Sequence, residues 1–206
     1  MLNLQRAGTR PMNLDHILIC GLGSIGRRHL RHFRQIGVSR IDAFRSGKAT
    51  LSDENQPSPD RSFTSLEMAI AEKPQAAIIT NPTSLHLETA LTLVKAGISV
   101  LVEKPLSHNL EGCEEMLAVA ESTGAKVGVA CNLRFHPLLK RLKTLITENK
   151  LGKVINASAH FGAYLPDWHP WEDYKEGYAG RRDLGGGAAL THIHELDYLG
   201  LSLIHI

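Results

Sequence analysis

The sequence predicts an α/β fold: a doubly wound parallel sheet followed by the start of a second α/β domain. Three observations predict it. From His16 to Lys126 apolar runs of strand length alternate with longer amphipathic stretches, the pattern of βα units feeding a parallel sheet buried on both faces. The helical stretches stop at Gly37, Gly97 and Gly124, where a left-handed residue closes a helix. Beyond Glu148 the texture changes, with strand-like character from Val154 to Tyr164 and then an aromatic, proline-bearing loop, Leu165 to Tyr178.

In chain order, strands are expected at His16–Cys20, Ile41–Phe44, Ala76–Thr80, Val100–Glu103 and Lys126–Ala130. Helices are expected at Ser24–Ile36, Leu66–Glu72, Leu85–Ala96, Leu110–Ser122 and Pro137–Glu148. Ser46 to Asp60, rich in Ser, Pro and Asp, reads as a surface loop. Residues 1–12 read as a disordered extension, 13–131 as a nucleotide-binding domain and 132–206 as an incomplete α/β substrate or dimerisation domain. About 55 residues follow Gly152, against about 100 for a typical independent domain. The apolar, helix-like run Leu199 to Ile206 ends without a cap, so the sequence reads as truncated.

Composition narrows the partners. Among 206 residues the formal charge is +2 and 43% are hydrophobic, so the overall balance favours neither nucleic acid nor an anionic membrane. Cys20, Cys113 and Cys131 form no CxxC pair and no even-numbered framework, which suggests a reducing compartment. With no signal-peptide core and no apolar span, the expectation is a cytoplasmic protein with a small-molecule partner.

Gly21-Leu22-Gly23-Ser24-Ile25-Gly26 follows the first strand and opens the first helix, the context that gives a GxGxxG turn its specificity for a dinucleotide in a Rossmann-type domain. Gly21 permits the tight turn, Gly23 lets backbone approach a pyrophosphate and Gly26 lets helix pack on strand. The helix N-terminus offers N–H groups to phosphate. An acid at the tip of the second strand would grip the adenosine ribose of NAD; here stands Phe44-Arg45-Ser46-Gly47-Lys48. Arg45, Ser46 and Lys48 suit a 2′-phosphate, so NADP is expected ahead of NAD, with solvated loop charges as the plain alternative. Asp42 falls inside the strand and too early. Arg27, Arg28, Arg31 and Arg34 are expected on the solvated face of a helix whose inner face is Ile25, Leu30, Phe33 and Ile36. Arg27 or Arg28 could still lie near the phosphates.

Four features together resemble the Gfo/Idh/MocA oxidoreductases, named for glucose–fructose oxidoreductase and inositol dehydrogenase. They are the GLGSIG turn, Asn81-Pro82 followed by His86, the triplet Glu103-Lys104-Pro105, and Gly185-Gly186-Gly187 leading into Thr191-His192-Ile193-His194-Glu195-Leu196-Asp197. The resemblance implies hydride exchange between a nicotinamide and a hydroxyl carbon of a sugar, sugar derivative or polyol. It places Asn81, Pro82, His86, Glu103 and Lys104 around the cofactor, with a cis Lys104–Pro105 bond, and implies a homo-oligomer when the chain is full length. Lys104 would favour alkoxide character on the substrate hydroxyl. His194 would act as general base, with Asp197 and Thr191 sharing its helical face and His192 pointing elsewhere. The family pattern has an Asp one turn before this His. Here Leu190 or Thr191 stands there, so Asp197 or Thr191 would orient the imidazole. Asn132, Arg134 and His136 resemble a segment near the substrate, where Arg134 could bind a carboxylate or phosphate.

Trp168, with Asp167, His169, Trp171 and Tyr174, forms a loop suited either to stacking on a sugar or to a domain or dimer contact. The eleven histidines include pairs such as His192 with His194 or His160 with His169, but none has established metal-site spacing, so no metal is expected. Two other readings remain open: transient oxidation that yields net hydrolysis or elimination with the cofactor retained, and a non-catalytic nucleotide-binding protein.

Overall fold

The computed structural model describes residues 14–47, 57–168 and 173–203. Its elements run β1 His16–Cys20, α1 Ser24–Gln35, β2 Arg40–Phe44, β3 Arg61–Phe63, α2 Leu66–Ala71, β4 Ala76–Ile79, α3 His86–Lys95, β5 Ser99–Val102, α4 Cys113–Thr123, β6 Val127–Val129, α5 Pro137–Thr147, α6 Leu165–Trp168, α7 Ala188–Thr191 and α8 Ile193–Leu203. Six parallel strands form one sheet in the order β3-β2-β1-β4-β5-β6. The order reverses between β1 and β4, so the crevice beyond their carboxyl ends is where such a sheet takes a ligand.

The period-two alternation of β1 divides the core. Ile17 and Ile19 pack with Leu30, Ile41 and Ala43 on one face. Leu18 and Cys20 pack with Ile79, Leu93, Val102 and Met116 on the other. Burial pushes the Cys20 thiol up to about 12, which makes it a core residue rather than a nucleophile. Asp42 is buried in β2 against His16 and Arg40 and so neutralises sheet charges instead of facing a ribose.

Four expectations need correction. A third strand, Arg61–Phe63, extends the sheet; three residues with a charged start carry no legible alternation. Residues 154–164 form no strand, and none of the six strands of the sheet pairs with them. Arg27 is buried, not solvated, because its Nε folds back to donate to the Leu22 carbonyl at 3.0 Å. Ile36 is 71% exposed, since α1 ends at Gln35 and the Gly37 turn carries Ile36 off the inner face. The expected extension 1–12, Lys48, His169 and Trp171 lie outside the described residues.

Candidate functional site

The glycine turn is built around contacts no side chain would survive. Gly21 has φ +102° and donates its N–H to the Phe44 carbonyl at 2.9 Å; a Cβ there would lie 2.7 Å from the Asn81 nitrogen. A Cβ on Gly26 would strike the Gly21 carbonyl, which also accepts from Thr80 Oγ1 at 2.6 Å. Gly23 differs, for a Cβ there meets nothing within 4 Å. It caps α1 without a side-chain hydrogen bond, so the first N–H groups, those of Ser24, Ile25 and Gly26, open onto that space. This arrangement fits the pyrophosphate of a dinucleotide.

Beside the turn, Leu22, Arg27, Arg45, Asp60, Arg61 and Ser62 line a cavity of about 240 Å³. The Asp60 carboxylate is already used by Arg34 at 2.7 Å and the Ile41 N–H at 2.6 Å. Ser46, next after Arg45, is exposed at the mouth of β2.

On the other side of the switch point, the turns after β4 and β5 are tied together by His86. Its ring is buried, with Nδ1 2.8 Å from the Pro105 carbonyl and Nε2 2.9 Å from that of Asn81. Burial pushes its pKa down, and the neutral ring has one N–H to donate, to whichever carbonyl the tautomer serves. His86 therefore braces Asn81-Pro82 against the cis Lys104–Pro105 turn and does not itself face a ligand, which corrects its expected role. His86→Leu is expected to lower stability by about 1–3 kcal/mol in denaturant unfolding, because a buried carbonyl loses its donor.

Glu103 faces the cofactor helix. His29, on the inward side of α1, donates to Glu103 Oε1 at 2.7 Å, and the Lys104 N–H donates to Glu103 Oε2 at 3.2 Å. Sequence reading passed over His29, although its place three residues after Gly26 sets it on the sheet-facing stripe.

Lys104 and His194 come together. Lys104 is half-buried and its Nζ donates to the Thr191 carbonyl at 2.8 Å, where α7 breaks at His192 before α8. Burial pushes the Lys104 pKa down against the pull of Glu103, Glu195 and Cys131. Burial and the Lys104 charge push His194 below its ordinary value. The expected orienting groups are not in place. Asp197 is held by Arg134, whose Nε lies 3.0 Å from both carboxylate oxygens and whose Nη2 lies 2.5 Å from one. Neither Asp197 nor Thr191 bonds the imidazole: Thr191 Oγ1 and His194 Nδ1 are both shielded and unpartnered. The same pair engages Nε and Nη2 of Arg134, whose side chain is half-exposed. His192 does point elsewhere, its ring 4.4 Å from that of Phe161 and 4.8 Å from that of Trp168.

A glycine turn on a helix N-terminus at the switch point, with lysine and histidine converging across it, defines a dinucleotide-binding α/β protein. The profile of the Gfo/Idh/MocA family, described as an oxidoreductase family with an NAD-binding Rossmann fold, matches residues 16–131. The chain belongs to that family. It is 30% identical to a 1,5-anhydro-D-fructose reductase of Ensifer adhaerens over 68% of this chain and 41% of that protein. A myo-inositol 2-dehydrogenase structure from Lactobacillus plantarum matches at 26% identity and TM-score 0.59, over 68% of this chain and 42% of that one. The structure of an NAD-binding protein from Listeria innocua shares the fold over 91% of this chain and 54% of its own, at 21% identity and TM-score 0.64. The chain thus spans about two-fifths of the length of the reductase.

Proposed function

We propose that this protein exchanges hydride between a nicotinamide dinucleotide, NADP ahead of NAD, and a hydroxyl carbon of a sugar, sugar derivative or polyol. The observation that carries the reading is the convergence of Lys104 and His194 at the edge of the sheet where the glycine turn opens. The nicotinamide, when bound, supplies the hydride acceptor or donor. In the oxidising direction the substrate O–H proton passes to His194, which its lowered pKa keeps neutral near pH 7, and Lys104 donates to the oxygen as alkoxide character grows. The reverse direction returns the same proton to the nascent hydroxyl.

Residues 13–131 act as the dinucleotide domain and 132–206 as the start of the substrate and dimerisation domain. The relatives named for an anhydrosugar and for an inositol support a carbohydrate-like substrate. Trp168, against His192, would wall the substrate side. The preference for NADP rests on the cavity beside Arg45, which Arg27 and Arg61 also line, Arg61 being shared with Glu72, while Asp60, the acid among its described lining residues, is paired with Arg34.

Titration with NADPH and with NADH, followed by fluorescence of the reduced nicotinamide, tests this. Tighter NADPH binding is the expected result. Equal or tighter NADH binding overturns the NADP assignment alone, and binding of neither by folded protein overturns the site.

A further inference from the structure

The site has a vacancy in its logic: a histidine base without a carboxylate to set it. Asp197 is taken by Arg134, and Thr191 offers Lys104 its carbonyl rather than offering the imidazole its hydroxyl. One acid at the α7–α8 break has no assignment. Glu195 follows His194 directly in the first turn of α8, just past the break that follows Thr191, the residue that holds Lys104. Its Oε2 is shielded from solvent and accepts no hydrogen bond, and the neighbouring His194 Nδ1 and Thr191 Oγ1 are orphaned in the same way. Three orphaned polar atoms within five residues, beside a lysine ammonium, are costly unless they serve a polar site.

We propose that Glu195 is a positioning residue of the reaction site, its carboxylate acting through Lys104 and His194 in the place left by the missing acid. The inference rests on the reading of Lys104 and His194 given above. Glu195 raises the proton affinity of both groups, whereas burial lowers it for both. The other charged or titratable groups acting on them are Glu103 on both, Cys131 on Lys104, and Asp197 and Lys104 on His194. Glu195 thus opposes burial at both groups, favouring the ammonium form of Lys104 and the proton on His194.

The test compares wild type, Glu195→Gln and Glu195→Asp in the full-length protein. Competitive amine labelling across pH, read by mass spectrometry of the Lys104 peptide, reports the lysine without any turnover. The expected result is a Lys104 titration displaced to lower pH in Glu195→Gln and restored towards wild type in Glu195→Asp. Where turnover is measured, both limbs of the kcat/KM profile move to lower pH in Glu195→Gln, because losing the carboxylate lowers both proton affinities. A residue that only packs would leave these curves in place. An unmoved Lys104 curve in folded Glu195→Gln overturns the proposal, and if that variant fails to fold, a Glu195→Asp curve matching that of Glu195→Ala overturns it equally. Absence of turnover with every carbohydrate tried would sink the oxidoreductase reading while the labelling result still stood for Glu195.

Discussion

Replacing Lys104 with methionine is expected to lower kcat about 10²–10³-fold, the loss typical when one preorganised donor to a developing oxyanion is removed. The side chain is anchored for this task at both ends. Its backbone N–H is fixed by Glu103 and its Nζ by the Thr191 carbonyl, so the ammonium reaches across the site with little freedom to lose. Methionine keeps the stem volume and the packing but removes the charge. Because Nζ bonds the Thr191 carbonyl and Lys104 is not among the residues lining the Arg-bearing cavity, NADPH affinity is expected to fall far less than kcat in the fluorescence titration. The contrast between lost turnover and largely retained binding is the signature of an interaction made mainly in the transition state. An unchanged kcat would remove Lys104 from the chemistry and leave a nucleotide-binding protein.

How far this was legible in the sequence depends on whether a function is local in the chain. The GLGSIG turn was legible because its requirements, a positive φ at Gly21 and no Cβ at Gly26, are met by neighbours in sequence. The βα alternation was legible because a parallel sheet buried on both faces demands apolar runs, and those runs became β1, β2, β4, β5 and β6. What failed turned on side-chain contacts that spacing does not carry. Arg27 sits at a position that helical periodicity assigns to solvent, yet its side chain folds back five residues to the Leu22 carbonyl, a local contact outside the helical repeat. His86 looked like a ligand-facing motif residue, but its partners lie in two different turns, one of them nineteen residues away. The Asp197–Arg134 pair spans sixty-three residues and could not be read from the spacing of Thr191, His194 and Asp197. That spacing also assumed one continuous helix, whereas the chain breaks at His192 between α7 and α8. His29 left a usable signal, a polar residue on an otherwise inward stripe; Glu195 left only its position beside the base.

Two alanine substitutions in the same turn are expected to fail in opposite ways, and together they separate the fold from the binding site. Gly26→Ala forces a methyl group into the Gly21 carbonyl and to 2.8 Å from Thr80 Oγ1. The carbonyl is backbone, so it cannot swing aside as the end of a side chain would, and Thr80 is itself fixed by its bond to Gly21. Overpacking of this kind costs about 1–3 kcal/mol, and each kcal/mol lowers Tm by about 2–4 °C in a chain of this size. Displacing α1 from β1 also moves its N-terminus, so binding should fall along with stability. Gly23→Ala meets no such obstacle: its φ of −69° is open to any L-residue and the new methyl touches nothing. The entropy gained by restricting the unfolded chain, about 0.4–1 kcal/mol, offsets the weaker N-cap, so Tm should scarcely change. The methyl nonetheless occupies the space above the first N–H groups of α1, where the pyrophosphate of a dinucleotide would approach the backbone. Affinity for NADPH is therefore expected to drop about tenfold or more, equivalent to at least about 1.4 kcal/mol of binding free energy. Thermal unfolding and fluorescence titration of the two variants side by side read both effects. If Gly23→Ala bound NADPH as wild type does, the open space at Gly23 would not be the phosphate site, even in a fully folded protein.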